Sequence, residues 1–306
     1  LRAESLSLSG IVNAIFVHDG SGRWTLVDTG LPLHFEAIRQ AAARRFGADS
    51  RPRAILLTHG HPDHAGSARA LAAYWDAPLY AHPRELPFVT GRADYPPLDT
   101  GTGDPTALGA QIATLIGRLG GPAPNAGRDL GDVRPLPDDL TPLLGAGWET
   151  VPLPGHTAGQ VGFWHAQARL LIAGDALSSL PLDSWHRLLR RRQGPSLPPT
   201  AATTDWESVR RSLRTIAALA PTTVLCGHGP TLLGPDLPQR LQDFADYAVV
   251  PRQGRYASEP VRIDDDGRYT VPPIAPDPVA TAFGLLRAAA VLGGAFWLVT
   301  RLKERR

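Results

Sequence analysis

At 306 residues, 43% hydrophobic and 20% charged, the chain can bury a sizeable core as one large or two small domains, and it is neither disordered nor fibrous. A net charge of +2, with arginine in slight excess and Lys303 the only lysine, gives no reason to expect a nucleic-acid partner. The single cysteine, Cys226, cannot form an internal disulfide, and residues 1–10 hold no apolar run of signal-peptide length, so the expected location is the cytoplasm.

Residues 11–17 and 24–27 are apolar and rich in β-formers, with turn chemistry at Asp19-Gly20-Ser21-Gly22 between them; they predict two strands. Asp28-Thr29-Gly30 ends the second strand, and a helix is expected over 33–46, stopped by Gly47. The run 53–58 suits a short buried strand. It leads directly into His59-Gly60-His61-Pro62-Asp63-His64-Ala65-Gly66, after which 65–74 reads as helical. From 83 to 142 the sequence is dense in Gly, Pro, Asp and Thr, with one short helix expected near 107–119. Too sparse in apolar residues for a core of its own, this stretch reads as an irregular insertion that shapes substrate access.

Strand patterns resume at 148–153, 161–165 and 169–173, the last followed by Gly174-Asp175-Ala176. Thr204-Asp205-Trp206-Glu207 has the form of a capping box opening a helix to about 220, and the strand 223–226 ends in Gly227-His228-Gly229. Strand–helix alternation arranged twice predicts an α/β sandwich over residues 1–248. Residues 249–306 are expected to form an extended arm, with a strand pair near 261–271, and an apolar helix over 279–300. That helix has the length of a bilayer span of ~20 residues. Arg287 inside it favours docking on the domain, or on a second copy, over membrane association.

Five of the ten histidines and two aspartates form one pattern: His59, His61, Asp63 and His64, then His156, Asp175 and His228. Each follows a predicted strand in a Gly- or Pro-containing turn, so side chains distant in sequence can converge at one sheet edge. Imidazole and carboxylate are the ligands that catalytic zinc accepts. One such histidine alone would ordinarily be a surface or core side chain. Four metal-type residues within six positions, followed by three more at strand ends, point to a metal site.

The segments 58–66, 154–157, 173–176 and 227–229, together with Leu26-Val27-Asp28-Thr29-Gly30, resemble the signature blocks of the metallo-β-lactamase superfamily, in the right order over about residues 11 to 230. The resemblance implies a four-layer αββα sandwich with its site at one edge of the paired sheets. It implies two divalent ions, zinc foremost and manganese or iron as alternatives. His59, His61 and His156 would hold one ion, Asp63, His64 and His228 the other, and Asp175 would bridge them. Asp28 would brace the ligand loop by hydrogen bonds, its plain alternative being a turn former. A coordinated hydroxide would then attack at neutral pH, with Asp63, through its second oxygen, orienting it or moving its proton.

Among relatives a bridging aspartate goes with glyoxalase II-like thioesterases, lactonases, RNase Z-like nucleases and phosphodiesterases, whereas true β-lactamases usually carry Cys or Ser there. His228-Gly229-Pro230 departs from the glyoxalase II ending, no basic arm for tRNA is evident, and Arg190-Arg191-Arg192 reads as a solvated run. The expectation is therefore a metal-dependent hydrolase of a small-molecule carbonyl ester, lactone or thioester. A single-iron persulfide dioxygenase using His59, His156 and Asp175, or a phosphodiesterase of the same fold, are the alternatives. Cys226 is expected to be a buried thiol and Trp164, Trp185 and Trp206 core residues, while His18, His34, His82, His165 and His186 are given no role.

Overall fold

In the computed structural model, which describes residues 2–99, 128–182 and 193–273, alternation along the strands sorts side chains into separate cores. Ile15, Val17, Val27 and Leu56 face one way, while Phe16, Trp24, Leu26 and Ile55 face the other. These residues belong to a six-stranded sheet built from β1 (Arg2–Leu8), β2 (Val12–His18), β3 (Trp24–Val27), β4 (Ile55–Leu56), β5 (Leu79–Ala81) and β6 (Val133–Pro135), which lie side by side in that order. The first three strands pair antiparallel and the last four parallel.

A second sheet contains β7 (Trp148–Pro152), β8 (Val161–His165), β9 (Leu170–Gly174), β10 (Thr223–Cys226) and β11 (Leu232–Leu233), in the spatial order β11-β10-β9-β8-β7. Its inward side chains, Val161, Phe163, Ile172 and Leu225, meet the inward set of the first sheet.

Helices cover the two outer faces. Against the first sheet, α1 (Phe35–Phe46) buries Ile38, Ala41 and Ala42, a single stripe three and four residues apart. It stops at Gly47, whose φ of 98° lets its N–H bond back to Ala43 O at 3.0 Å. The short α2 (Pro62–Ala65) and α3 (Ala68–Trp75) follow β4, and α4 (Leu86–Val89) and α5 (Thr141–Leu144) flank β6 in sequence. Against the second sheet, α6 (Trp206–Leu219) buries Trp206, Val209, Leu213 and Ile216, and α7 (Leu237–Tyr247) adds Leu237 and Leu241. The result is the expected four-layer α/β/β/α sandwich. Among the described residues no helix is long and apolar enough to cross a membrane.

Several expectations change. Residues 2–8 form an edge strand; alternating Ser and Glu with apolar residues leaves it half exposed and gave it no apolar run to notice. The stretch 83–142 is not simply irregular. Its described part holds a 3-10 turn (Pro83–Glu85), α4 and β6, and Leu140 fills the space between the sheets; its prolines and glycines punctuate short elements. The cap of α6 is Asp205, whose Oδ1 accepts the Ser208 N–H at 2.9 Å, one residue later than the capping box implied. The domain boundary expected after residue 248 lies later, the chain dividing into Leu1–Pro272 and Pro273–Arg306. Val250, Tyr256 and Val261 explain the shift, because they are buried in the same core as α6 and α7. The strand pair of the arm is β12 (Arg262–Ile263) with β13 (Tyr269–Thr270). The helix expected near 107–119, the apolar segment 279–300 with its membrane association, Trp185, His186 and Arg190 to Arg192 lie outside the described residues.

Candidate metal centre

The turns that follow β3, β4, β7, β9 and β10 carry Asp28, His59, His156, Asp175 and His228. The turn after β4 is the densest. Pro62 disfavours helical backbone at the residue before it, so His61 stays extended with ψ of 151°, and α2 begins only at Pro62. The chain thus passes from strand to turn to helix within six residues. This brings His59 and His61, before the helical turn, and Asp63 and His64, within it, to one place.

Three groups of potential ligands result, each with its donor atoms within 4.8 Å of one another: His59, His61 and His156; His59, His64 and Asp175; and Asp63, His64 and His228. The first and third are the two trios expected from the sequence. Asp175 lies between them. Its Oδ2 is 3.6 Å from His156 Nε2 and 3.0 Å from His228 Nε2, and its Oδ1 is 3.3 Å from His64 Nε2. His61 Nδ1 stands 2.9 Å from His156 Nε2, and Asp63 Oδ2 3.3 Å from His228 Nε2. All these side chains are buried except that of Asp63, which is 34% exposed.

Hydrogen bonds behind the imidazoles fix which nitrogen faces inward. Asp28 Oδ2 receives both the Thr58 hydroxyl and His64 Nδ1, at 2.8 and 2.9 Å. Because the Thr58 hydroxyl is already donating, it can only accept from His59 Nδ1, 3.2 Å away. Thr203 works in the same way: its hydroxyl donates to Pro199 O and accepts from His156 Nδ1 at 3.1 Å. His59, His64 and His156 therefore turn Nε2 toward the centre, the nitrogen that is free to ligate when the ring is neutral. His59 Nε2, His64 Nε2, Asp175 Oδ1 and both ring nitrogens of His228 are buried with no hydrogen-bond partner, although some stand at ion-pair distance. Convergent orphaned donors of this kind fit a divalent cation.

The electrostatics agree. Burial holds His59 well below the usual imidazole range, His61 down at about 4 and His156 at about 3. Burial also pushes on His228 and His64, but it is outweighed by Asp175 and Asp63, which raise His228 to about 10 and His64 likewise upward. Both carboxylates are driven below their usual range by these histidines, against the upward push of burial. Positive charge is thus favoured on the side of Asp63 and Asp175, at His64 and His228, and disfavoured at His59, His61 and His156.

Several supporting residues carried no signal in the sequence. Asn13 joins the two sheets at this edge, its N–H bonding Gly227 O at 2.8 Å and its Nδ2 bonding Cys226 O and Gly229 O at 2.9 and 2.6 Å. A Cβ at Gly227 would collide with Asp175 Oδ1 and His64 Cε1, so a glycine must precede His228. Glu85, wholly buried, accepts from Gly60 N, Gly159 N, the Thr157 hydroxyl and the Tyr95 hydroxyl; burial lifts its carboxyl above the usual range against the pull of those donors. Only contacts made in three dimensions distinguish this glutamate from any other in the chain.

Of the histidines given no role, His34 lies 2.8 Å from Ser9 Oγ, but its Nδ1 accepts the Leu31 N–H. Its Nε2 thus holds the proton and donates, which leaves the Ser9 hydroxyl unactivated. Cys226, Trp164 and Trp206 are core residues, as expected.

Comparison with known proteins agrees with this geometry. A probable metallo-hydrolase, YflN, of Bacillus subtilis (strain 168) is 33% identical over 225 residues, 73% of this chain and 81% of the relative. A hydroxyacylglutathione hydrolase of Ectopseudomonas mendocina (strain ymp) is 39% identical over 226 residues, 71% of this chain but 61% of that protein. The crystal structure of the BLEG-1 B3 metallo-β-lactamase superposes with a TM-score of 0.53 at 21% identity, covering 80% of this chain and 97% of that one, a likeness of fold alone. The model of the metallo-β-lactamase superfamily matches residues 9–228, a span that includes every one of the seven converging side chains, and the chain belongs to that superfamily.

Proposed function

We propose that the chain is a hydrolase of carbonyl esters, lactones or thioesters that works with two divalent ions, zinc foremost. The observation that carries this reading is the pair of ligand trios joined by Asp175. His59, His61 and His156 would hold one ion, Asp63, His64 and His228 the other, with Asp175 shared. Such ions supply a water acidic enough to attack at neutral pH and a Lewis acid for the substrate oxygen.

The remaining work falls to the chain's own residues. Asp63 is the only one of the seven with a substantially exposed carboxylate, so it is the group placed to take a proton from the attacking water or return it to the leaving group. Asp28, Thr58 and Thr203 hold the imidazoles in the tautomer that points Nε2 inward. A small crevice beside His61 and His156 is walled by Phe88, Tyr95, Leu98 and Ile263, and among the described residues no arginine or lysine lines it.

The test is metal analysis of the purified chain, followed by a screen over lactones, esters, thioesters and phosphodiesters. Two ions per chain, with carbonyl hydrolysis that is lost on chelation and restored by zinc or manganese, is the expected result. One iron per chain with oxygen consumption on a persulfide, and no hydrolysis, would overturn it.

A further inference from the structure

Glu85 ends a 3-10 turn in the stretch that looked like an irregular insertion, and it is completely buried. Its Oε2 accepts the Gly60 N–H at 3.0 Å and the Tyr95 hydroxyl. Its Oε1 accepts the Thr157 hydroxyl at 2.7 Å and the Gly159 N–H at 3.0 Å. Two donors on each oxygen use the full accepting capacity of a carboxylate. Among the described residues it forms no ion pair with an arginine, lysine or histidine. Burying a carboxylate without a cation is costly, and that cost is offset here only by hydrogen bonds that a neutral amide could not all make.

What those bonds join is specific. Gly60 lies between His59 and His61, and Thr157 and Gly159 follow His156, so one side chain ties together the two turns that carry the first trio. Neither turn admits a larger residue at the contact. A Cβ on Gly60 would collide with the Tyr95 hydroxyl and Val89, and one on Gly159 would lie 2.8 Å from Glu85 Oε1. No bond from Glu85 reaches Asp63, His64 or His228; the turn carrying His228 is held instead by Asn13.

We propose that Glu85 is a positioning residue for the first metal position: by fixing the turn at Gly60 against the turn at Thr157 and Gly159, it sets His61 and His156 at ligating separation and so sets the affinity of that position alone. The proposal rests on the two-ion reading above.

The experiment is zinc titration of the full chain against a chromophoric chelator, with one position left standing at a time. In a His228→Ala background, which keeps the trio His59, His61 and His156, Glu85→Gln is expected to weaken zinc binding by roughly 10- to 100-fold, the usual effect of removing a group that orients ligands. In a His61→Ala background, which keeps the other trio, the same substitution should change affinity less than about threefold. Asn13→Ala should show the opposite pattern. Should Glu85→Gln fail to fold, Thr157→Val removes one of the four donors without removing the carboxylate, and should weaken the first position alone by a few-fold.

Wild-type protein that takes up no zinc at these residues would overturn the metal reading and this one with it. Two-ion uptake by wild type, with Glu85→Gln and Thr157→Val changing both backgrounds equally or neither, would overturn the role of Glu85 and leave the metal reading intact.

Discussion

Oδ2 of Asp28 receives the Nδ1–H of His64 at 2.9 Å, and neither side chain reaches solvent. The other oxygen of Asp28 accepts the Thr58 N–H at 2.8 Å, so one carboxylate orients an imidazole and fixes the start of the turn after β4. Its φ of 58° is tolerated by Asp and Asn but strained for most other residues. Asp28→Asn should therefore keep the backbone while turning an N–H₂ toward a donor. Zinc affinity is expected to fall roughly 10- to 100-fold with the melting temperature nearly unchanged. Competition with a chelator measures it, and unaltered affinity would show that Asp28 only shapes the turn.

Asp175 sits within 3.6 Å of three imidazoles drawn from both trios. Asp175→Ala should consequently loosen both ions, leaving well under one per chain after dialysis, whereas His228→Ala should retain the ion held by His59, His61 and His156. Elemental analysis of the two variants side by side gives the answer. Retention of one tightly held ion in Asp175→Ala would assign the carboxylate to a single position.

Asp63 is the exposed carboxylate of the site, and its replacement should separate binding from turnover. Asp63→Asn keeps the shape and one weak ligand oxygen but cannot take a proton. The expected outcome is a fall in kcat of about 10²- to 10⁴-fold, the range for a lost general acid–base, with a smaller change in metal content. A kcat that tracks metal occupancy and nothing more would make Asp63 a ligand only.

Burial pushes the Cys226 thiol well above its usual range, with the nearby Asp175 carboxylate adding to the effect. Thiolate is the reactive form, so alkylation of the folded chain at pH 8 should be orders of magnitude slower than after denaturation. Mass spectrometry after timed iodoacetamide exposure follows this directly. Rapid modification of folded protein would mean that β10 opens readily.

The part of the arm that precedes Pro272 belongs to the folded core, through Val250, Tyr256 and Val261. A chain truncated after Pro272 should keep its metal centre, because all seven candidate ligands precede that point. One truncated after residue 248 removes Tyr256 and Val261, leaves a gap against α6 and α7, and should aggregate. Tyr256→Ala alone is expected to cost about 3–5 kcal/mol, the range for deleting a large buried aromatic. Thermal unfolding and sedimentation of the two truncated chains distinguish the cases.

The contrast between His59 and Glu85 says why the sequence could be read so far and no further. His59 stands in a dense local pattern with a strand before it, and local pattern is what a sequence displays. The layers were legible for the same reason, since Ile15, Phe16 and Val17 alternate over neighbouring positions. Glu85 acts through Gly60 and Gly159, 25 and 74 residues away, and nothing in its own neighbourhood marks it. The edge strand β1 escaped notice because an exposed strand needs no apolar run. The arm read as detached because its few buried residues are spread among prolines, arginines and aspartates.

Asn13 bonds from the first sheet to the backbone on both sides of His228 in the second, and this has a bearing on how the chain folds. Four of the seven converging side chains come from the half of the sequence that builds one sheet, and three from the half that builds the other. Cations bound at such a seam would act as rivets between two halves that each carry an incomplete set of donors. Loading and docking of the halves would then be one event, and excess zinc is expected to raise apparent stability by RT ln(1 + [Zn]/Kd). A chelated chain should open along this edge before it melts elsewhere, with hydrogen exchange fastest at the Asn13–Gly227 bond.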